Sequence, residues 1–324
     1  MRCAAFKYHY TVNSSRLFIS KLEHITSYSE YGEVLIISKN YKRLWWIIAI
    51  VGMFGSVMTV ALYFDIPQKT NVMTVQQQRY AAECPGWVKL ADEQVSTLPK
   101  QFSIASWNIY KTQNLGWNKV LGKLSRQADI IALQEAREST TQDFWRQLGW
   151  SATMLEAFSM GRKSVGVQLA SAKPPMQVCG SRQREPLIQL PKSLIIGVYP
   201  LANQTDELWV ISLHSINFSL QIAPYLQQLN EIARLIEQHN GPLVIAGDFN
   251  TWSKRRQQVL LEWMSQHKLI PVRFKNDKRS RFFGHALDHM FYRGLKLVRS
   301  RVITTNASDH NALLATFQSI RSNE

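Results

Sequence analysis

The stretch LVIAGDFNTW at residues 243–252 decides how the fold is interpreted. Its first four residues are apolar or small, which is typical of a buried strand, and Gly247, Asp248 and Asn250 follow within a few positions. A strand fixes the direction of the backbone, so polar groups attached to its end are held rigidly. The stretch therefore predicts a buried strand that delivers an acid and an amide into a site.

From residue 101 onward, short apolar strands alternate with amphipathic helices. Strand-like stretches occur at 102–110 and 129–136, and apolar residues follow helical spacing at 116–127 and 219–240. Strands alternating with helices, with several predicted hairpins, are typical of an α/β domain. We therefore predict an α/β domain over residues 101–319.

Polar side chains recur at the ends of these predicted strands. The set comprises Asn108, Gln134, Glu135, His214, Asp248, Asn250, Asp288, Asp309 and His310. Any one of them could be an ordinary cap or turn residue. Because strand ends converge at one edge of a sheet, we expect the whole set to share one site.

The residue types fit a divalent metal ion and a phosphate group. Asn108 and Glu135 offer the oxygen ligands that Mg²⁺ prefers. Asp248 can orient or deprotonate a water molecule for in-line attack, and Asn250 can hold that water or a phosphate oxygen. The pattern predicts hydrolysis of a phosphate ester. A non-catalytic binding module, in which the same residues only support the fold, is the alternative.

Two histidines complete the set. His310 beside a carboxylate such as Asp288 would gain a fixed tautomer and a stabilised positive charge. His214 could donate to a non-bridging oxygen or protonate the leaving group.

Six motifs, in chain order, resemble those of the endonuclease/exonuclease/phosphatase superfamily: WNIYK, LQEA, LHSINF, GDFNTW, LDHMFYR and SDHNALL. The resemblance covers about residues 101–319 and is greatest to the bacterial YafD-like group. It implies a four-layer α/β sandwich of two packed, mainly antiparallel or mixed sheets flanked by helices, as in DNase I. It also implies Mg²⁺-dependent hydrolysis of phosphoric esters, with Mn²⁺ as another suitable ion.

The resemblance also implies roles for individual residues. It assigns catalytic roles to His214, Asp248, Asn250, Asp288 and His310, and metal-site positions to Asn108, Glu135 and Asp309. His214 matches a histidine of the DNase I-like and sphingomyelinase-like branches that AP endonucleases lack. Its presence argues against repair of abasic sites.

The net charge of +15 favours an anionic partner. Basic residues flank two motifs: Lys254, Arg255, Arg256, Arg273, Lys275, Lys278, Arg279 and Arg281. They could contact a nucleic-acid backbone or anionic lipid headgroups, or simply form a solvated surface. SRQREP at 181–186 could also reach a phosphate. The charge favours nucleic acid as the substrate, and a lipid-directed phosphodiesterase or phosphatase of the sphingomyelinase or inositol-phosphatase kind is the alternative.

A 21-residue stretch without charged residues lies at 44–64. Its length matches a bilayer, so it predicts one transmembrane signal anchor, with a buried core helix or a cleaved signal peptide as alternatives. Lys39, Lys42 and Arg43 precede it, and the positive-inside rule then places the N-terminus in the cytoplasm. We expect a single-pass inner-membrane protein with an extracytoplasmic catalytic domain; a cytoplasmic protein is the alternative.

Two further segments and two cysteines remain. Residues 1–43 are predicted to be a small cytoplasmic tail or non-native sequence from a start codon placed too far upstream, and residues 65–100 are predicted to be a linker. Cys84 and Cys179 would share an oxidising compartment, so they form either a disulfide or two unrelated thiols.

Overall fold

The computed structural model describes residues 44–53, 63–90, 97–202 and 206–320. The chain divides into two units, Met1–Leu62 and Tyr63–Glu324. Within the described residues, no helix is long and apolar enough to cross a membrane. Residues 54–62 of the predicted anchor lie outside the described residues, so the transmembrane helix at 44–64 stays a prediction.

Within the described residues, the strands of the second unit form two large sheets and a small hairpin. The first sheet comprises β1 (Phe64–Asp65), β2 (Asn71–Thr74), β3 (Arg79–Ala81), β5 (Gln101–Asn108), β6 (Ile130–Arg137), β7 (Ser151–Met160), β8 (Lys163–Ser171), β17 (Leu295–Ile303) and β18 (Ala312–Ser319). The second sheet comprises β4 (Val88–Lys89), β9 (Gln177–Arg184), β10 (Pro191–Pro200), β11 (Glu207–His214), β12 (Leu243–Asp248), β13 (Ile270–Pro271) and β16 (Asp288–Arg293). The hairpin pairs β14 (Arg281–Phe282) with β15 (His285–Ala286).

The two sheets pack face to face, and helices cover their outer faces. The helices are α1 (Trp117–Ser125), α2 (Glu138–Leu148), α3 (Ala223–Ile236) and α4 (Lys254–Gln266). Ile104 of the first sheet and Val244 of the second belong to the core between the sheets. Trp145 of α2 packs on the outside of the first sheet, and Trp263 of α4 on the outside of the second. The predicted α/β sandwich of two mixed sheets flanked by helices is confirmed.

The register of the second sheet aligns three of the predicted site residues. In β12, Val244 and Ala246 face the core between the sheets, and Asp248 continues this inner row because side chains alternate along a strand. β11 runs parallel to β12 and β16 antiparallel to it. The pairing places His214 beside Asp248 on one side and Asp288 on the other.

Gly247 permits this alignment. Its φ is +154°, and a Cβ at this position would lie 1.9 Å from the main-chain oxygen of Leu213. A larger residue would therefore push β12 away from β11. The glycine of GDFN is required by strand pairing.

Residues 65–100 differ from the predicted linker. β2 pairs with β7 in the first sheet, and β4 pairs with β9 in the second. Cys84 forms a disulfide with Cys179 in β9. The strands here contain only two to four residues, which is too short for a period-two pattern to emerge from a polar sequence. The described residues of this stretch, 65–90 and 97–100, are part of the domain.

Removing the disulfide is expected to destabilise the domain. The crosslink joins cysteines 95 positions apart, and disulfides typically contribute about 2–4 kcal/mol to the free energy of unfolding. We expect Cys84→Ser in the full chain to lower that free energy by about this amount in urea titrations followed by tryptophan fluorescence. Cys3→Ser is the control for loss of a thiol. Equal midpoints for Cys84→Ser and the parent protein would contradict the expectation.

Candidate active site

Polar side chains meet at the end of the sandwich where β5, β6, β11 and β12 end, which we refer to as the site edge. The predicted residues that lie here are Asn108, Glu135, His214, Asp248, Asn250, Asp288 and His310, and all but the partly exposed Glu135 are buried. Asp309 is adjacent in sequence but exposed, and its Oδ1 accepts a hydrogen bond from Ser308 Oγ at 3.2 Å.

Asp248 lies at the centre of the cluster. Its Oδ2 accepts a hydrogen bond from Asn108 Nδ2 at 3.1 Å, and its Oδ1 accepts one from the main-chain N–H of Asn250 at 2.9 Å. The Nε2 atoms of His214 and His310 lie 3.7 and 3.8 Å from Oδ2. Residues from both sheets therefore converge on one carboxylate.

His310 is held in one orientation by its neighbours. Its Nδ1 donates to Asp288 Oδ2 at 2.8 Å, because a carboxylate can only accept. Its main-chain N–H donates to Ser308 Oγ, and its carbonyl oxygen accepts from the indole of Trp107. Burial lowers the pKa of His310, but the carboxylates of Asp288 and Asp248 outweigh it and raise the pKa to about 10. His310 is therefore a buried imidazolium at neutral pH.

Asp248 is a carboxylate whose protonation changes near neutral pH. Burial raises the pKa of Asp248 to about 6. The positive charge of His310 opposes this rise, and the nearby Asp288 adds to it. A carboxylate with such a pKa can accept a proton from a reacting water and release it again.

His214 is uncharged, in contrast to the positively charged His310. Its Nε2 accepts a hydrogen bond from Lys192 Nζ at 2.8 Å, because an ammonium group can only donate. Burial, followed by the charge of Lys192, lowers the pKa of His214 well below its usual value. His214 is therefore neutral at pH 7 and carries its proton on Nδ1.

Glu135 reaches the site because β6 is irregular. Leu133 faces the helices, and regular alternation would point Glu135 the same way. A β-bulge and a φ of 52° at Glu135 turn its side chain into the site, where it pairs with Lys111 and lies 3.8 Å from His214 Nε2. Burial raises the pKa of Glu135, but neighbouring cations, Lys111 and Lys192 among them, lower it to about 2.

Glu135 and Asn108 offer oxygen atoms of the kind that a hard cation takes. Glu135 is ionised, partly exposed and already accommodates the ammonium group of Lys111. The Oδ1 of Asn108 accepts the N–H of Tyr110 and keeps a second lone pair. Among the residues that the structure describes, no three His, Cys, Asp or Glu side chains are grouped so as to hold a metal. A cation would therefore depend on one carboxylate, one amide and water.

Arg256 differs from the surface cation that the sequence predicts. It is 2% exposed and lies over the rings of Trp252 and Tyr225 at 4.7 and 4.8 Å. It donates to main-chain oxygens of the loop after β11 and to that of Asn250. Asn250 adopts a φ of 50°, and its Nδ2 donates to Ser215 O at 2.9 Å. Arg256 therefore fixes the loops that carry the site.

Sequence reasoning misses Lys111 and Lys192. Lys111 stands three positions after Asn108 in WNIYK, which is a signal that could have identified it. Lys192 lies in no motif, and only the pairing of β10 with β11 brings it to His214. Glu185 of SRQREP, considered as a phosphate contact, is fully buried and accepts main-chain N–H groups of residues 217 and 218.

Two facing mixed sheets with acids, amides and histidines at one edge define the DNase I-like class of phosphoesterases. The sequence model of the Endonuclease/Exonuclease/phosphatase family matches residues 105–310, and the chain belongs to this family. Its members are phosphoesterase hydrolases, including nucleases and phosphatases, and they generally depend on a divalent metal ion. The predicted enzyme class is confirmed.

Bacterial relatives support the narrower resemblance. A UPF0294 protein of Vibrio vulnificus is 35% identical over 283 residues, which cover 85% of this chain and 97% of the relative. A UPF0294 protein of Yersinia pseudotuberculosis is 38% identical over 262 residues, which cover 78% and 100%. The predicted membership of the YafD-like group is confirmed.

Solved structures agree on the fold. The human Nocturnin catalytic domain with bound sulfate is similar with a TM-score of 0.54 and 16% identity, covering 72% of this chain and 96% of that one. ANGEL2, a 2',3'-cyclic phosphatase, is similar with a TM-score of 0.52 and 17% identity, covering 72% and 98%. At these identities the likeness concerns the fold alone.

His310 is expected to stay protonated through the neutral range. Because its folded pKa of about 10 exceeds the ordinary 6.5, its charge contributes stability that is complete below pH 6.5 and lost as the pH rises through 10. We expect the ring resonances of His310, assigned by their absence in His310→Gln, to show no titration step near pH 6.5 in the metal-free full chain. Asp288→Asn should lower the pKa. A midpoint near 6.5 in the parent protein would contradict the charge state.

Proposed function

We propose that the protein is a Mg²⁺-dependent phosphoesterase that hydrolyses phosphodiester bonds by in-line attack of water. The observation that carries this proposal is the buried Asp248, which accepts hydrogen bonds from Asn108 and Asn250. Two histidines flank it, one neutral and one positively charged. A scaffold that only supported the fold would not need to bury so many polar groups around one carboxylate.

Asp248 orients the attacking water and accepts its proton, for which a pKa of about 6 is suitable. A bond forms between the water oxygen and phosphorus, and the bond to the leaving oxygen breaks. The cationic His310 stabilises the negative charge that develops on the phosphoryl oxygens. Asn250 holds a phosphoryl oxygen or the water.

The leaving oxygen needs a proton, and supplying it is one of the two roles that the sequence suggests for His214, the other being donation to a non-bridging oxygen. Its lowered pKa makes it a poor acid at neutral pH. Lys192, which donates to its Nε2, is the nearest ammonium donor. We therefore assign proton supply to the Lys192–His214 pair.

Glu135 and Asn108 would hold the metal ion, with Asp309 as an outer carboxylate and Mn²⁺ as another suitable ion. When bound, the ion polarises a phosphoryl oxygen as a Lewis acid. Lys111 balances the charge of Glu135 and orients its carboxylate.

The predicted substrate is nucleic acid, with a lipid phosphodiester as the alternative. Lys254, Arg255 and Lys278 remain exposed for contact with an anionic substrate, whereas Arg256 does not. A single-pass anchor at 44–64 with an extracytoplasmic domain is part of the proposal. The disulfide supports it, because disulfides persist in oxidising compartments.

Asp248→Asn is expected to abolish turnover while leaving the fold intact. Loss of the proton acceptor should reduce hydrolysis of bis-p-nitrophenyl phosphate by the Mg²⁺-loaded full chain by at least about 10²-fold. Asp143→Asn is the matched control, because Asp143 lies on the exposed face of α2. Plasmid DNA, RNA and phospholipid vesicles, each with and without EDTA, complete the substrate set. Equal turnover by Asp248→Asn and Asp143→Asn would remove the basis of the proposal.

A further inference from the structure

The most exposed apolar side chains of the domain belong to a small group of loop tips. Among its described residues, Leu115, Leu220 and Phe283 are 96%, 92% and 79% exposed, followed by Leu187 and Phe282. Single exposed apolar residues are ordinary on a protein surface, whereas a group of them marks an interaction site. Phe283 also adopts a φ of 47°, which is uncommon for an aromatic residue.

All five residues lie at the site edge. Leu115 and Leu220 follow the ends of β5 and β11. Leu187 lies in the turn that leads into β10, which begins beside the end of β11. Phe282 and Phe283 lie at the tip of the β14–β15 hairpin. This hairpin directly precedes β16, and β16 begins beside the end of β12. The apolar tips therefore lie on loops at the edge that carries the site.

Exposed cations occur on the chain segments at the same edge. The basic residues concerned are Arg184, Lys254, Arg255, Lys278 and Arg281. Apolar side chains that insert among headgroups, together with cations that contact lipid phosphates, are the combination by which proteins bind an anionic bilayer surface.

The apolar tips favour lipid over nucleic acid. Proteins bind unpaired bases by stacking them on aromatic rings or guanidinium planes. Leu115, Leu187 and Leu220 have no flat surface on which a base could stack, but they suit hydrocarbon. Phe282 and Phe283 suit either partner, so the leucines decide between the two.

The chain also enters the domain at this edge. β1 begins at the last residue of the apolar stretch 44–64, and its Phe64 pairs with Met160 at the end of β7. β7 turns there into β8, whose Val165 pairs with Arg137 at the end of β6. The first strand of the domain therefore lies at the edge that carries the site.

We propose that the site edge docks on an anionic lipid bilayer with its apolar loop tips inserted, and that the ester reaching Asp248 belongs to a lipid headgroup. The substrate part rests on the proposed function, and the docking part does not.

Docking is tested by fluorescence. The emission of a dye attached to the full chain is measured in the presence of vesicles of phosphatidylethanolamine and phosphatidylglycerol. An environment-sensitive dye is attached at Leu220→Cys, or at Leu148→Cys as a control, both in a Cys3→Ser background. Leu148 is also exposed but lies at the opposite edge, before the start of β7. We expect the dye at position 220 to shift to the blue and to be quenched by nitroxides on the acyl chains, while the dye at position 148 stays in water.

Two results would overturn docking. One is an aqueous environment at both positions. The other concerns the dye at position 220 alone: vesicles leave its emission unchanged, whereas an oligonucleotide protects it from quenching by iodide. Nucleic acid would then occupy the edge.

The lipid substrate is tested with the triple variant Leu220→Ser/Phe282→Ser/Phe283→Ser. The double variant Leu148→Ser/Leu261→Ser is the control, because it removes exposed apolar side chains elsewhere. We expect the first variant to lose at least about tenfold in hydrolysis of vesicle lipid and to stay within about twofold on bis-p-nitrophenyl phosphate. Wild-type turnover of the soluble ester without turnover of lipid would overturn the lipid substrate. No turnover of either would overturn the proposed function and the lipid substrate together, and the dye would still decide docking.

Discussion

The site depends on the alignment of three neighbouring strands. β12 pairs with β11 and β16 in a register that places His214, Asp248 and Asp288 in one row. The pairing needs a close approach that only a glycine allows at position 247. Because main-chain hydrogen bonds set this row, its members keep their spacing without relying on contacts between their side chains. The first sheet then needs only to present Asn108, Glu135 and His310 opposite the row.

The two sides of the row create two electrostatic environments within one small volume. On one side, carboxylates surround His310 and keep it charged. On the other, burial and then the charge of Lys192 lower the pKa of His214 and keep it neutral. Asp248 lies between them, and burial holds its pKa close to neutral. Groups of the same chemical type thus acquire different charge states because their burial and the charges of their neighbours differ.

The sequence predicts the site best where an apolar strand ends in a polar residue. Asp248 is the clearest case, because it closes an unbroken run of apolar and small residues that predicts a buried strand. Glu135 is predicted as a site residue, but its direction depends on a bulge that no local pattern reveals. Lys192 contacts His214 only because β10 pairs with β11, which no local pattern predicts. The charge of Arg256 predicts an exposed side chain, but its partners are buried main-chain carbonyl groups. The strands within residues 65–100 are too short to give a periodic signal.

The disulfide between Cys84 and Cys179 has a mechanical consequence for an anchored domain. Along the backbone, a pull on the chain before Cys84 can pass through the sulfur atoms into β9. The intervening residues, which include Asn108 and Glu135, form a closed covalent ring. β1 and β2 precede Cys84 and pair with β7 inside that ring, so a pull on the N-terminal side loads these two pairings of the first sheet before it reaches the disulfide.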